Sequence, residues 1–134
     1  MLLDTCAAIW LMEDAEIAEP ALDRLLRAER SGEKVQVSPI TAWEIGLLSS
    51  RGRLIASASP HKWFSALLDL PQIALAEMPP QVLVASSLLP GKPPRDPADR
   101  IIAATAREFG LAVMTRDRAL LAYSEAGHMR ALPC

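Results

Sequence analysis

Four carboxylates lie far apart in the sequence, but each is placed where it could join a single site. Asp4 follows an apolar run, Glu44 lies within a helical pattern, Asp99 follows a proline-rich stretch, and Asp117 comes just after an apolar segment. Carboxylates that share a pocket raise one another's pKa, because like charges repel. A hard divalent cation removes that repulsion, and Mg²⁺ is commonly held by carboxylates together with a substrate phosphate. If the fold brings the four acids together, they predict a Mg²⁺ or Mn²⁺ site acting on phosphate esters.

Each acid also has a structural interpretation. Asp96 is typical of a helix N-cap, because a proline follows it, and Asp99 would then complement the helix dipole. Asp117 could cap the last helix, and Glu44 in mid-helix could simply be solvated. Asp4 is the hardest to explain structurally, since it ends a buried strand. The functional interpretation therefore rests on all these acids falling at the ends of predicted strands or at helix starts.

Short apolar runs alternate with helical patterns along the chain, which predicts an α/β fold with a short, mainly parallel central sheet flanked by helices. Strands are predicted at 1–3, 35–37, 73–76, 111–114 and 129–132, and helices at 7–12, 19–30, 39–52, 60–70, 80–89, 97–109 and 118–123. Three helix starts carry a capping residue followed by proline, at 38–39, 59–60 and 96–97. Active sites of such sheets lie beyond the carboxyl ends of the strands, where the acids are expected to meet.

Composition limits the class of protein. The 134 residues are 51% hydrophobic and suffice for one domain, which excludes a disordered chain. No apolar stretch is long enough to span a membrane. The start of the chain lacks the basic region of a signal peptide, so a cytoplasmic location with reduced thiols is expected. Cys6 and Cys134 cannot form a disulfide framework, and Cys6 is predicted to be a small buried hydrophobe rather than a nucleophile.

The net charge of −2 argues, taken alone, against a nucleic-acid partner. A metal site changes that argument, because the cation brings its own positive charge to the four acids. A nucleic acid is therefore expected to bind poorly without the metal and acceptably with it. Two other hypotheses stay open: a phosphoryl-transfer module with Asp4 as nucleophile, and a binding module without catalysis. Asp4 lacks a second acid two residues later, which counts against the phosphoryl-transfer module.

Four segments, in order, resemble PIN-domain ribonucleases of the kind found as the VapC toxin of VapBC toxin–antitoxin pairs. The segments are MLLDT at 1–5, VSPITAWEI at 37–45, RDPADRIIAATA at 95–106 and VMTRD at 113–117. One such block is weak evidence, whereas four in the same order and spacing are strong. The resemblance implies one PIN-like nuclease domain over residues 1–134.

The resemblance also implies roles for the acids. Asp4, Glu44, Asp99 and Asp117 become the catalytic residues, with Asp4, Asp99 and Asp117 holding Mg²⁺ or Mn²⁺. Glu44 either holds the ion too or orients and deprotonates the attacking water. Thr115 matches a hydroxyl residue often found beside the metal, and Asp96 contacts the site indirectly.

Further expectations concern partners. The resemblance implies an endoribonuclease that is a homodimer, acts as the toxin of a type II toxin–antitoxin system and is inhibited by a VapB-type antitoxin. The antitoxin's C-terminal segment would lie in an apolar groove and direct a basic side chain toward the acids. Arg95, Arg100 and Arg116 are predicted to contact RNA phosphates, whereas Lys92 and Arg118 are better explained as solvated charges. A PIN nuclease without an antitoxin is the alternative.

Overall fold

A computed structural model describes residues 1–53 and 59–134. This part of the chain forms a five-stranded sheet flanked by seven helices. The strands are β1 (Leu2–Leu3), β2 (Val35–Val37), β3 (Ile73–Leu75), β4 (Ala112–Thr115) and β5 (Arg130–Pro133). The helices are α1 (Thr5–Met12), α2 (Glu19–Ser31), α3 (Pro39–Ser50), α4 (Pro60–Leu68), α5 (Pro80–Ser87), α6 (Pro97–Glu108) and α7 (Arg118–Glu125).

All the strand pairs of this sheet are parallel, in the order β3-β2-β1-β4-β5, which confirms the predicted fold class. From β1 the chain moves outward through β2 to β3, then crosses to the other side of β1 for β4 and β5. The strand order therefore reverses between β1 and β4, where Leu3 pairs with Met114. In open parallel sheets, the crevice outside the carboxyl ends of the strands at this reversal is the usual binding site.

Local chemistry sets the helix starts. The side chain of Ser38 accepts a hydrogen bond from the backbone N–H of Ile40, and that of Ser59 accepts one from Lys62. Proline follows both caps at the first helical position, where its missing N–H costs nothing. The two predicted starts are confirmed, and the same holds for the start of α6 behind Asp96.

The sheet separates two apolar clusters, and β1 contributes to both. Leu3 packs with Val37, Ile45 and other residues on one face, while Leu2 packs with Val113, Ile102 and others on the opposite face. Successive strand residues point to opposite faces, so even this two-residue strand is buried on both sides. Burial of this kind fixes the backbone from which the next residue, Asp4, projects.

Most element bounds differ from the sequence prediction by one or two residues, and two differences concern the site. Helix α1 begins at Thr5 rather than Ala7, because Asp4 caps it. The prediction that Cys6 is buried is wrong: the residue lies on the exposed side of α1, while Cys134 is buried. Both cysteines are free. Among the described residues, no helix combines the length and apolar character needed to cross a membrane.

Candidate functional site

Asp4 stands at the carboxyl end of β1 with both carboxylate oxygens engaged. Its Oδ1 accepts a 2.6 Å hydrogen bond from the backbone N–H of Ala7 and thereby caps α1. Its Oδ2 accepts a hydrogen bond from the hydroxyl of Thr115, at the end of β4. Asp4 is only 3% exposed, and burial raises its pKa. The two hydrogen bonds act in the opposite direction, and the charge of Asp117 adds to the increase.

Asp117 lies across the strand reversal from Asp4. Its Oδ1 accepts hydrogen bonds from the backbone N–H groups of Ala119 (2.8 Å) and Leu120 (3.0 Å), which caps α7. The hydroxyl of Thr115 accepts a hydrogen bond from the backbone N–H of Asp117 at 2.9 Å. Thr115 thus joins the two acids, donating to one and accepting from the backbone of the other. The capping interpretation of Asp117 is confirmed, and it leaves Oδ2 available for a cation.

Asp96 and Asp99 come from the start of α6. Asp96 is exposed, and its Oδ1 caps the helix by accepting from the N–H groups of Ala98 (2.8 Å) and Asp99 (3.2 Å). Asp99 caps nothing and lies half-buried one turn into the helix. Burial raises the pKa of Asp99 to about 7, and the charges of Asp117, Asp96, Glu44 and Asp4 add to the effect. Acids from three other segments are therefore near enough for their charges to act on Asp99.

Glu44 reaches this site from α3. It is half-buried, and its Oε2 accepts a hydrogen bond from the hydroxyl of Thr5 on α1. Burial raises the pKa of Glu44, and the charges of Asp96 and Asp4 raise it further, while the bond from Thr5 lowers it. The interpretation of Glu44 as a merely solvated helix residue does not fit this half-buried position beside other acids.

The site is surrounded by the N-termini of α1, α6 and α7. Helix N-termini present backbone N–H groups and favour negative charge. Even so, the pKa values of Asp4, Glu44 and Asp99 lie above their ordinary range. The N–H groups are therefore not enough to offset burial and repulsion, and a cation would supply the missing positive charge.

The donor set fits a hard divalent cation, because it consists of carboxylate oxygens with a hydroxyl alongside. In the described part of the chain, no group of three or more Asp, Glu, His or Cys side chains lies close enough together to bind one metal ion. Unneutralised carboxylates repel one another, and a bound cation would favour a closer approach of these side chains.

The predicted phosphate-binding arginines differ in their surroundings. Arg95 is exposed beside Asp96, Lys92 is exposed in the loop before α6, and Arg118 is exposed at the first residue of α7. The guanidinium group of Arg100 donates to the backbone carbonyls of Ser86 (2.9 Å) and Ser87 (3.3 Å).

Arg116 also uses its guanidinium group within the fold. It donates to the backbone carbonyls of Cys134 and Glu16 and lies over the ring of Trp10, 4.1 Å from its centre. Arg100 and Arg116 thus both use N–H groups to bond backbone carbonyls of the fold, whereas Arg95 is exposed.

Cys6 lies inside the electric field of the site although its side chain is exposed. Desolvation by neighbouring atoms raises the pKa of its thiol to about 12, and the charges of Asp4, Glu44, Asp117 and Asp99 contribute. All four acids of the predicted set therefore act on this one sulfur.

The sequence matches the family model for the PIN domain over residues 1–126. The chain belongs to the PIN domain family. Ribonuclease VapC22 of Mycobacterium tuberculosis (strain ATCC 25618 / H37Rv) is 28% identical over 120 residues, covering 90% of this chain and 88% of that relative. The predicted resemblance to PIN domains, with a VapC protein among its relatives, is confirmed.

Two solved structures share the fold. The crystal structure of VapBC2 from Rickettsia felis, bound to a DNA fragment from its promoter, aligns with a TM-score of 0.68 at 11% identity, over 98% of this chain and 96% of that chain. FitAcB from Neisseria gonorrhoeae aligns with a TM-score of 0.57 at 21% identity, over 98% and 95% of the two chains. At these identities the likeness concerns the fold.

Sequence reasoning overlooked two residues of the site, Thr5 and Thr41. Both are buried, and their hydroxyl oxygens lie 3.2 Å apart beneath Glu44. A signal was present, because Thr41 precedes Glu44 by three positions and so shares its helix face. The partnership with Thr5 was not visible, since it depends on how α1 packs against α3.

Proposed function

We propose that this protein is a metal-dependent endoribonuclease that acts as the toxin of a type II toxin–antitoxin pair in the cytoplasm. The observation that carries the proposal is the link through Thr115 between the side chain of Asp4 and the backbone of Asp117, with Glu44 and Asp99 near enough for the charges of Asp4, Glu44 and Asp117 to raise the pKa of Asp99. Membership of the PIN family and the relative named a ribonuclease support the same chemistry.

Asp4, Asp99 and Asp117 would hold Mg²⁺ or Mn²⁺, and Glu44 would either join them or orient and deprotonate the attacking water. When bound, the ion lowers the pKa of water and neutralises charge on the scissile phosphate. Asp4 is held in position by its bonds from Ala7 and Thr115. The raised pKa of Glu44 makes its carboxylate a better proton acceptor.

RNA phosphates flanking the cleaved bond would contact arginines near the site. Arg95 is the best placed of the predicted three, because it is exposed and adjoins the start of α6. Arg100 and Arg116 would have to contact RNA phosphates with those guanidinium N–H groups that do not already bond backbone carbonyls.

The proposal is tested by RNA cleavage with Mn²⁺ and with EDTA. We expect cleavage only with Mn²⁺, and we expect Asp4→Asn and Asp99→Asn to abolish it while both variants stay folded by circular dichroism. Asp69→Asn is a matched control, because Asp69 is exposed at the far end of α4. Full activity of both site variants would refute the proposal.

The proposed antitoxin partner would bind in a groove between α1 and α2. This groove has a volume of about 390 Å³ and includes Trp10 and the exposed side chains of Leu22 and Leu26. Its wall at Trp10 is covered by Arg116, which directly precedes Asp117. An apolar C-terminal segment of an antitoxin would occupy the groove, and a basic residue from it would reach the acids.

Inhibition of cleavage by the product of a short neighbouring reading frame tests this partner. Leu22→Glu should weaken inhibition and leave RNA cleavage intact, because Leu22 lies outside the acidic site. If no neighbouring product inhibits the enzyme, the protein is a PIN nuclease that works without an antitoxin.

A second copy of the chain would pack on the outer face of α5. Val84 and Leu88 are 61% and 76% exposed there, and a groove of about 680 Å³ runs alongside between α5 and α6. Large apolar side chains so exposed indicate an interaction surface. Sedimentation should show a dimer for the wild-type protein and a monomer for Leu88→Asp.

A further inference from the structure

A pair of buried hydroxyl groups lies beneath the candidate site. Thr5 on α1 is 6% exposed, and Thr41 on α3 is fully buried. Their oxygens lie 3.2 Å apart, and the hydroxyl of Thr5 also bonds Oε2 of Glu44. Burying a hydroxyl costs free energy unless it is hydrogen-bonded, so two of them in direct contact require an explanation.

The direction of these bonds follows from donor chemistry. An ionised carboxylate accepts hydrogen bonds and cannot donate them, so Thr5 must give its only hydroxyl proton to Glu44. The oxygen of Thr5 then accepts the proton of Thr41. The bonds run one way, from Thr41 through Thr5 to Glu44, and polarisation along such a chain strengthens its last bond. With Oε2 held, Oε1 is the oxygen left for a ligand.

The Glu44 carboxylate needs a contact that keeps it in one orientation. Its side chain turns about several single bonds, and its carboxylate is partly desolvated and repelled by Asp4 and Asp96. Both effects favour a rotation of the carboxylate toward water. The hydrogen bond from Thr5 opposes this rotation, because turning the carboxylate toward water would break it.

We infer that Thr5 and Thr41 are positioning residues that hold the Glu44 carboxylate in place for the divalent cation. This inference rests on the metal-dependent activity proposed above. Groups that orient metal ligands without touching the metal typically change metal affinity or activity by about 10- to 100-fold when they are removed. If the pair served only to pack α1 against α3, its removal would affect stability and leave the cation unaffected.

The test uses substitutions that separate shape from hydrogen bonding. Thr5→Val and Thr41→Val keep the shape and remove the hydroxyl, whereas Thr5→Ser keeps the hydroxyl and removes a methyl group. Thr105→Val is the matched control: Thr105 is equally buried, but its hydroxyl bonds the carbonyl of Ile101 within α6 at 2.7 Å.

Mn²⁺ affinity is measured by electron paramagnetic resonance of the free ion, and kcat and KM are measured on RNA. We expect Thr5→Val to weaken Mn²⁺ binding about tenfold and to lower kcat about tenfold at unchanged KM. Thr5→Ser should restore both, Thr41→Val should change both in the same direction but less, and Thr105→Val should change neither.

Equal Mn²⁺ affinities for the wild-type protein and Thr5→Val would overturn the inference, whatever the RNA assay gives. A Thr5→Ser variant as impaired as Thr5→Val, with a lower melting temperature in EDTA, would assign the pair to packing and overturn it too. A wild-type protein that binds Mn²⁺ but cleaves no RNA would refute the ribonuclease proposal, while the affinity comparison would still decide the role of Thr5. A wild-type protein that binds no Mn²⁺ would overturn both.

Discussion

The two ends of the parallel sheet differ in how their charged side chains are partnered. At the amino end, the chain enters the strands from helix C-termini, whose last carbonyl oxygens need donors. Cationic side chains donate to carbonyls in the turns that follow three of these helices: Arg107 to that of His128, Arg130 to that of Gly110, and Lys34 to that of Pro71. These three cations therefore have an oxygen partner that the fold already contains.

At the carboxyl end, helix N-termini present N–H groups, and acidic side chains accept from them. Asp4, Asp96 and Asp117 each use an oxygen as a helix cap. Asp99 and Glu44 cap no helix, yet they lie half-buried in the same place. The acids at this end exceed what capping requires, and they repel one another.

Charged side chains that stabilise the fold thus differ from charged side chains that serve a chemical site. A charge that serves the fold is matched by a partner in the fold, as at the amino end. A set of like charges kept together at the cost of raised pKa values indicates a site whose partner comes from outside. This difference between the two ends can be tested by substitution, and the largest effect is expected at Asp99.

Asp99→Asn should have opposite effects on activity and on stability. We expect RNA cleavage to fall by a factor of about 100 or more, because a metal ligand is lost. The metal-free variant should nevertheless melt at a higher temperature than the wild-type protein at pH 7.5, since one repelling charge has been removed. Cleavage assays and thermal unfolding in EDTA check the two parts. A lower melting temperature would mean that Asp99 serves the fold.

The metal-free protein should lose stability as the pH rises toward neutrality. The pKa of Asp99 is about 7 in the folded state, against an ordinary value of 3.8. Between these values the folded state binds more protons than the unfolded state, so the free energy of unfolding falls as the pH rises. Urea unfolding in EDTA at several pH values measures this slope.

Saturating Mn²⁺ should restore the free energy of unfolding that is lost near neutral pH, because the ion is expected to bind the ionised acids. Asp99→Asn should flatten the slope, whereas the control Asp69→Asn should keep it. A wild-type protein whose stability rises steadily from pH 4 to pH 7 would contradict the mutual repulsion of these acids.

Cys6 can report on the charge of the site without any measurement of activity. Its exposed thiol should react slowly with iodoacetamide, because a pKa of about 12 leaves little thiolate at pH 8.5. Asp99→Asn should speed the reaction by a factor on the order of three, since burial causes the larger part of the shift and charge the smaller. Mass spectrometry follows the rate, and Cys6→Ser gives the background from the buried Cys134. A rate equal to that of a free thiol would place Cys6 outside the field of the acids.

The sequence predicted what depends on local chemistry. Ser38, Ser59 and Asp96, each followed by proline, identified helix starts that the structure confirms. The placement of Asp4 and Asp117 at one end of the sheet was also predictable, because parallel strands bring their carboxyl ends to one side.

What the sequence concealed depends on contacts between distant segments. The bond between Thr5 and Thr41 joins residues 36 positions apart. The carbonyl partners of Arg100 and Arg116 depend on where helix ends and loops lie in space. Cys6 was taken for a small buried hydrophobe because neither histidine lies near it in sequence, whereas the direction of α1 turns its side chain outward.

The smallest expected effect comes from the amino end, with Arg130→Ala. Arg130 is exposed, and its guanidinium group donates to the carbonyl of Gly110 just after α6. A cation near a helix C-terminus typically contributes about 0.5 kcal/mol, so urea unfolding should show a loss of that order. RNA cleavage and Mn²⁺ affinity should stay at the wild-type level, because the charge lies at the opposite end of the sheet from the acids. A tenfold loss of cleavage in a folded Arg130→Ala protein would show that charges at the amino end also serve the chemistry, and the contrast between the two ends would fail.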